Sequence, residues 1–298
     1  MLVDIEKYLK EKQGIVDCYL EANLPPIGTP PEVLYESIRY SLLAGGKRIR
    51  PILTIAAAEA IGPPPQAMLP IACTVEFIHT YSLVHDDLPA MDNDDFRRGK
   101  PTNHKVYGDG LAILAGDGLQ AMAFEWCSRM DLVNDIEPYV QVQIIAELAH
   151  GSGNQGMVGG QVLDIQAENK KVELEELKNI HAHKTGKLIR ASVRAGALLS
   201  GANLTQFDQL TAYAEDIGLA FQIADDVLNV TGTRDELGKD PNTDIERGKQ
   251  TYPSFYGLDG AKKLAQECAD RAIGRLNGFD EKADPLRGIA QYVVSRRK

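Results

Sequence analysis

Apolar side chains recur at helical intervals along almost the whole chain. Residues 2–22 carry Ile5, Tyr8, Leu9, Ile15, Val16, Tyr19 and Leu20 in this rhythm, which predicts an amphipathic first helix. Pro25, Pro26, Pro30 and Pro31 then form a linker that ends at a helix start. Glu32 to Ala44, with Val33, Leu34, Ile38, Leu42 and Leu43, reads as a second helix. Gly45-Gly46 stops it, and Pro51 opens a third helix through Ile61. Pro63-Pro64-Pro65 breaks the chain again, and a long apolar helix is predicted from Gln66 to Leu88. Further helices are expected over Gly110–Met130, Glu137–His150, Leu174–Leu199, Leu204–Val230, Ala261–Leu276 and Pro285–Arg297. Ser152 to Lys170 is glycine-rich and reads as less regular. Alternating apolar and polar runs rich in valine, isoleucine and threonine are missing, so strands are predicted to be absent or minor. The sum is an all-α bundle of long helices joined mostly by short connections.

Composition narrows what such a bundle can do. With 44% apolar residues over 298 positions, the chain can bury a substantial core. Its net charge of −10 argues against a nucleic-acid partner, because no basic face is concentrated enough to follow a phosphate backbone. An acidic protein still binds an anionic ligand when divalent metals carry the compensating charge. Cys18, Cys73, Cys127 and Cys268 lie far apart, which indicates neither a zinc site nor a disulfide framework. The stretch from Met1 to Lys10 lacks the apolar core of a signal peptide, and no apolar run is long enough to span a bilayer. A cytoplasmic location is therefore the expectation. Gly151-Ser152-Gly153-Asn154-Gln155-Gly156 matches a dinucleotide-binding fingerprint letter by letter. That fingerprint follows a strand, whereas Ile144 to His150 is helical, so these glycines are assigned to close helix approach or bending around a cavity.

The chemistry gathers between Ser82 and His104. Asp86, Asp87, Asp92, Asp94 and Asp95 stand together there, with Arg97, Arg98 and Lys100 directly behind. Carboxylates that dense repel one another unless cations neutralise them, and hard oxygen donors favour magnesium, manganese or calcium. The guanidiniums offer planar, multi-donor contacts that suit phosphate oxygens. Taken alone, such a run is ordinarily a solvated charged loop. A second acidic pair weakens that reading. Asp225 and Asn229 are four residues apart and share a helix face with Gln222, a polar stripe among apolar neighbours that needs partners. Asp86 and Asp92, six apart, would diverge on an unbroken helix, but Pro89 interrupts it. A bulge at Pro89 then swings Asp92 back, and the two acidic clusters face each other across a cavity. Gly45-Gly46-Lys47-Arg48-Ile49-Arg50-Pro51 sets cations at a helix N-terminus, a third place suited to an anion.

These motifs together resemble the trans-isoprenyl diphosphate synthases, the bacterial farnesyl/geranylgeranyl type. The match runs through the Gly45–Pro51 joint, Asp86-Asp87 with Asp92, and Arg97-Arg98. It continues at Gly156-Met157, Gly160-Gln161, Lys184-Thr185-Gly186, Gly218 to Gln222 and the second acidic motif, then Leu237-Gly238-Lys239, Gly248-Lys249 and Thr251-Tyr252-Pro253. The resemblance implies the all-α isoprenoid synthase fold, one domain over residues 1–298 around a central cavity, and a homodimer. It implies head-to-tail condensation of isopentenyl diphosphate with an allylic diphosphate, dimethylallyl or geranyl. Magnesium is the implied cofactor, three ions with manganese able to substitute, held by Asp86, Asp87, Asp92 and Asp225. Arg97, Lys184, Lys239 and Lys249 are then expected on the allylic diphosphate, and Lys47, Arg50, His79 and Arg98 on isopentenyl diphosphate. Oxygens of Thr185 and Gln222 would steady the allyl cation. One departure stands out: Asn229 occupies a position where the family usually has aspartate, which keeps an oxygen ligand and loses a charge.

Product length is read just upstream of Asp86. Tyr81 lies roughly 7–8 Å down the helix, at the standard rise per residue, so its ring can floor the cavity for a growing tail. Ser82 is small and leaves the space beside it open. A bulky aromatic at this position accompanies farnesyl product in the resembled family, so C15 is the expectation and C20 the alternative. A terpene cyclase would use one aspartate motif and would have no need of Lys47, Arg50, Arg97 and Arg98 for a second diphosphate. A silent partner subunit would be expected to lose one motif.

Overall fold

Hydrophobic rhythm and structure agree closely in the computed structural model, which describes residues 3–129, 131–168, 170–232 and 249–296. Leu237, Lys239 and Gly248, and the expected helix ends at Met130 and Arg297, lie outside the described residues. Helix α1 (Ile5–Asn23) starts behind Asp4, whose carboxylate accepts from the Lys7 amide at 3.1 Å, and buries Leu9, Val16 and Leu20. Helix α2 (Glu32–Leu42) ends at the glycine pair, where Gly46 has φ 121°. A Cβ on Gly46 would lie 2.4 Å from the Arg98 guanidinium, so only glycine lets that side chain cross the loop.

Helix α3 (Ile49–Ile61) begins two residues before Pro51, because the first-turn amides need no intrahelical partner and tolerate proline there. Helix α4 (Met68–Asp86) is buried on nearly every side down to Val84. A two-residue hairpin, β1 (Phe96–Arg97) with β2 (Lys100–Pro101), turns through Arg98 and Gly99, both at positive φ as a tight primed turn requires. Then follow α5 (Asn103–Tyr107), α6 (Asp109–Ser128) and α7 (Pro138–Ser152). The stretch read as irregular contains a regular helix, α8 (Met157–Ala167). Its glycines lower intrinsic helix propensity, but close packing outweighs that: a Cβ on Gly160 would lie 2.1 Å from the Lys184 amide nitrogen.

The expected helix over Leu174–Leu199 is split. Its parts are α9 (Leu174–His181), a π-helical turn over Ala182–Gly186, and α10 (Lys187–Leu199). Helix α11 (Leu204–Thr231) opens with a capping box between Asn203 and Gln206. Helix α12 (Tyr252–Arg275) starts earlier than expected, since a kink at Gly257 (φ 67°) hides its rhythm. Helix α13 (Asp284–Ser295) closes the described chain. Two large apolar cores and a small one at Val84, Leu88 and Ala112 lie among the described residues, and α3 and α10 wall both large ones. Ile52 and Val193 face one core, Ile55 and Leu188 the other. No helix among the described residues is long and apolar enough to cross a membrane.

Candidate active site

The first acidic motif is built by a chain reversal. Helix α4 stops at Asp86, and Pro89 cannot continue it. The loop doubles back instead, with the Asp92 amide donating to the Asp86 carbonyl at 2.8 Å and the Asn93 amide to Leu88 at 3.0 Å. Asp92 thereby returns to the side of Asp86, as the interruption at Pro89 predicts. Burial pushes the Asp86 carboxyl up to about 6; Asp92 and Asp87 add to this, while Lys184 and Arg97 oppose it. Asp87 behaves differently. Its side chain is buried, both oxygens accept from Arg97 Nε, at 2.7 and 2.9 Å, and Arg97 Nη2 lies 2.6 Å from Oδ1, so two guanidinium nitrogens grip the carboxylate.

Opposite Asp86, the π-helical turn presents Lys184 and Thr185. Gly160 of α8 and Gly218 of α11 admit its backbone, a Cβ on Gly218 meeting the Gly186 Cα at 3.2 Å. Such bulges recur where a helix must re-aim side chains. Lys184 Nζ donates to Asp164 Oδ2 at 2.7 Å, and Lys249 Nζ donates to the same oxygen at 2.8 Å. Burial alone would raise the Asp164 carboxyl, but the two ammonium groups bring it down to about 2. Lys249 also lies 4.0 Å from Asp92, which ties this cluster to the first motif.

A polar chain then reaches the second motif. Thr185 donates to Gln222 Oε1 at 2.9 Å, and Gln222 Nε2 donates to Asp226 Oδ1 at 3.0 Å. Asp226 Oδ2 accepts from the Tyr252 amide at 2.9 Å. Asp226 is thus a buried cap for α12. Asn229 is buried as well, whereas the Asp225 side chain is 45% exposed. Asp225 accepts from Arg296, whose guanidinium lies 4.0 Å from the Phe221 ring centroid.

The third feature is cationic. Arg48, at the left-handed start of α3, donates to Asp17 (2.7 Å), Glu76 (2.6 Å) and the Leu42 carbonyl (2.7 Å). Arg98 donates to the Gly45 carbonyl and lies 3.8 Å from Glu76. Burial lowers Arg50, with Arg98 and Arg296 pushing the same way, and its Nε is buried without a hydrogen bond among the described residues. Burial, then Arg50 and Arg98, holds His79 well below its ordinary range, so the imidazole is neutral near pH 7. Lys47 is half-buried on the same loop. With its Nε lacking a hydrogen bond among the described residues, buried Arg50 is arranged to receive an anion.

An apolar cavity of about 400 Å3 joins these pieces. Asp86, Lys184, Thr185 and Arg50 stand on its lining, and Tyr81 and Val162 are among its walls. Ser82 lines it too, its hydroxyl turned to the His79 carbonyl at 2.8 Å.

The polyprenyl synthetase profile matches residues 31–286. The chain belongs to the polyprenyl synthetase family. It is a prenyltransferase. A geranylgeranyl diphosphate synthase of Cyanophora paradoxa is 48% identical over 97% of this chain and 95% of its own. A farnesyl diphosphate synthase of Geobacillus stearothermophilus is 44% identical over 99% of this chain and 98% of its own. Among solved structures, an FPP/GFPP synthase from Zymomonas mobilis superposes with a TM-score of 0.87. It is 41% identical and covers 99% of this chain and 100% of its own.

Three residues of this polyprenyl synthetase bear on the site although the sequence pattern does not mark them. Asp164, Glu76 and Arg296 each sit alone in ordinary helical sequence or at a chain end, and only folding brings Asp164 to two lysines. Arg48 was in view as part of the basic joint, but its neighbour Glu76 was not. The donor set suits a hard divalent cation: burial and neighbouring carboxylates raise Asp86 despite Lys184 and Arg97, and Asp92 offers further carboxylate oxygen beside it. Among the described residues, no three histidine, cysteine or carboxylate side chains converge on one point. Magnesium usually takes one or two carboxylates and completes its shell with water and substrate phosphate.

Proposed function

We propose that this prenyltransferase condenses isopentenyl diphosphate with dimethylallyl and then geranyl diphosphate, releasing pyrophosphate and ending at the C15 farnesyl product. The observation that carries this reading is the shared cavity: Asp86 of the first acidic motif, Lys184, and the separate pair Arg50 and His79 all border one apolar chamber. Asp86 and Asp92 on one side and Asp225 on the other would hold magnesium, with Asn229 behind. When bound, the metal neutralises the leaving diphosphate as a Lewis acid.

The chain's own residues do the rest. Asp87 supports the metal set and, with both oxygens accepting from Arg97, also holds that guanidinium in place. Arg97 and the Asp164-held pair Lys184 and Lys249 bind the allylic diphosphate; Lys239 keeps that assignment by family resemblance alone. Arg50, Arg98, Lys47 and neutral His79 bind isopentenyl diphosphate, which does not ionise and needs no metal. The allylic C–O bond breaks with its electron pair going to pyrophosphate, and the isopentenyl double bond attacks the allyl carbon. Pyrophosphate then takes the proton. Thr185 gives its hydrogen to Gln222, so the hydroxyl keeps lone pairs to face the cation.

We assign residues 1–298 to one domain, a cytoplasmic location and a homodimer. Exposed Ile113 and Leu114 on α6, and Tyr139 and Val142 on α7, support an apolar contact between copies. The C20 product stays the second reading, because the Cyanophora paradoxa relative is a geranylgeranyl diphosphate synthase. Tyr81 is 5% exposed on the cavity wall and supports the shorter product. In Tyr81→Ala the floor opens, and chromatography of dephosphorylated products is expected to shift toward longer chains. An unchanged distribution removes the ring from that role.

A further inference from the structure

The tail cavity has a second aromatic ring in its wall, and that ring is held by a glycine. His85 lines the cavity one helical turn above Tyr81, the two rings meeting edge to face with centroids 5.9 Å apart and planes at 75°. Its Nε2 lies 3.0 Å from the Ile113 carbonyl of α6, and since a carbonyl only accepts, Nε2 carries the hydrogen. The Asp117 carboxylate lies 4.0 Å from the same nitrogen. Beneath the ring sits Gly116. A Cβ there would be 2.1 Å from His85 Nε2, 2.4 Å from Cδ2 and 2.9 Å from Cε1, so any side chain expels the imidazole. Gly116 has helical backbone and needs no positive φ; the notch is its evident purpose.

We propose that His85, seated in the Gly116 notch, is a specificity-determining positioning residue that sets the width of the tail cavity and braces Tyr81 as its floor. This rests on the prenyltransferase reading above. The Ile113 carbonyl draws the ring's polar edge into α6, leaving its other flank and the Tyr81 ring to shape the chamber. The Tyr81 hydroxyl is buried without a hydrogen bond among the described residues, so ring packing is what holds that side chain in place. With the notch filled, α6 blocks the imidazole and the cavity is the open direction.

The test is product length with a compensating pair. The wild type, Gly116→Ala, His85→Ala, the Gly116→Ala/His85→Ala double variant and Tyr81→Ala are each given dimethylallyl or geranyl diphosphate with isopentenyl diphosphate and magnesium, and the dephosphorylated products are chromatographed. Gly116→Ala is expected to accumulate C10 and to use geranyl diphosphate at least about tenfold less well relative to dimethylallyl, the scale of one methylene misfit in an apolar pocket. His85→Ala is expected to lengthen product, and the double variant to recover chains at least as long as the wild type's. Loss of stability alone would slow both substrates together and would not be relieved by removing the ring. If Gly116→Ala fails to fold, His85→Ala decides by itself. Unchanged length in His85→Ala while Tyr81→Ala lengthens product overturns the inference and leaves the activity standing. Complete loss of turnover in His85→Ala also overturns it. No condensation product from the wild type overturns the activity, and this inference with it.

Discussion

Asp86→Ala is expected to lower turnover on the order of a thousandfold or more at saturating magnesium, a loss of about 4 kcal/mol of transition-state stabilisation. Asp86 ends α4 at the mouth of the tail cavity, where burial and neighbouring carboxylates push it up to about 6. A carboxylate in that position is destabilised on its own and is stabilised by a bound cation. Removing it takes away an anchor for the charge that the ionising diphosphate needs, and no nearby group replaces it. Asp87 is held by Arg97 through both its oxygens and does not take the place of Asp86. Single-turnover measurement of product formation separates this loss from substrate binding. Near-normal turnover would remove Asp86 from the metal site.

The second large effect is expected at Asp225. Asp225→Ala should cost turnover on a similar scale, while Asn229→Asp should change it far less. The two positions share a helix face, but their surroundings differ: Asn229 is buried, and Asp225 is half-exposed and paired with Arg296. A charge added at 229 therefore lies behind the reacting region. If steady-state rates show Asn229→Asp changing turnover as much as Asp225→Ala, the division between front and rear positions is wrong.

Much of the architecture was legible because burial imposes a 3.6-residue rhythm on helices, and α1, α7 and α11 follow it within a few residues. What escaped has a common cause. The π-helical turn at Lys184 leaves the spacing of apolar residues nearly intact, so one helix was expected where three segments exist. Helix α8 was masked because glycine has low intrinsic propensity, although here it permits contact with the Lys184 backbone. In the site, the return of Asp92 toward Asp86 was readable from Pro89. The pairings were not. Asp87 with Arg97 lies ten residues apart, and Asp164 with Lys249 lies 85 apart, and spacing carries no record of which ions meet in the fold. Resemblance named Asp87 as a ligand from its motif, and the spacing did not show that its oxygens also meet Arg97.

The central claim is that one cavity unites a metal-assisted allylic site with a metal-free isopentenyl site and stops at C15. The most direct measurement incubates the enzyme with dimethylallyl and isopentenyl diphosphates, with magnesium or with chelator, and chromatographs the dephosphorylated products. The account predicts farnesol as the main product with magnesium and no condensation in chelator. Geranylgeraniol as the main product would contradict the C15 assignment, and condensation at full rate in chelator would contradict the metal-assisted site.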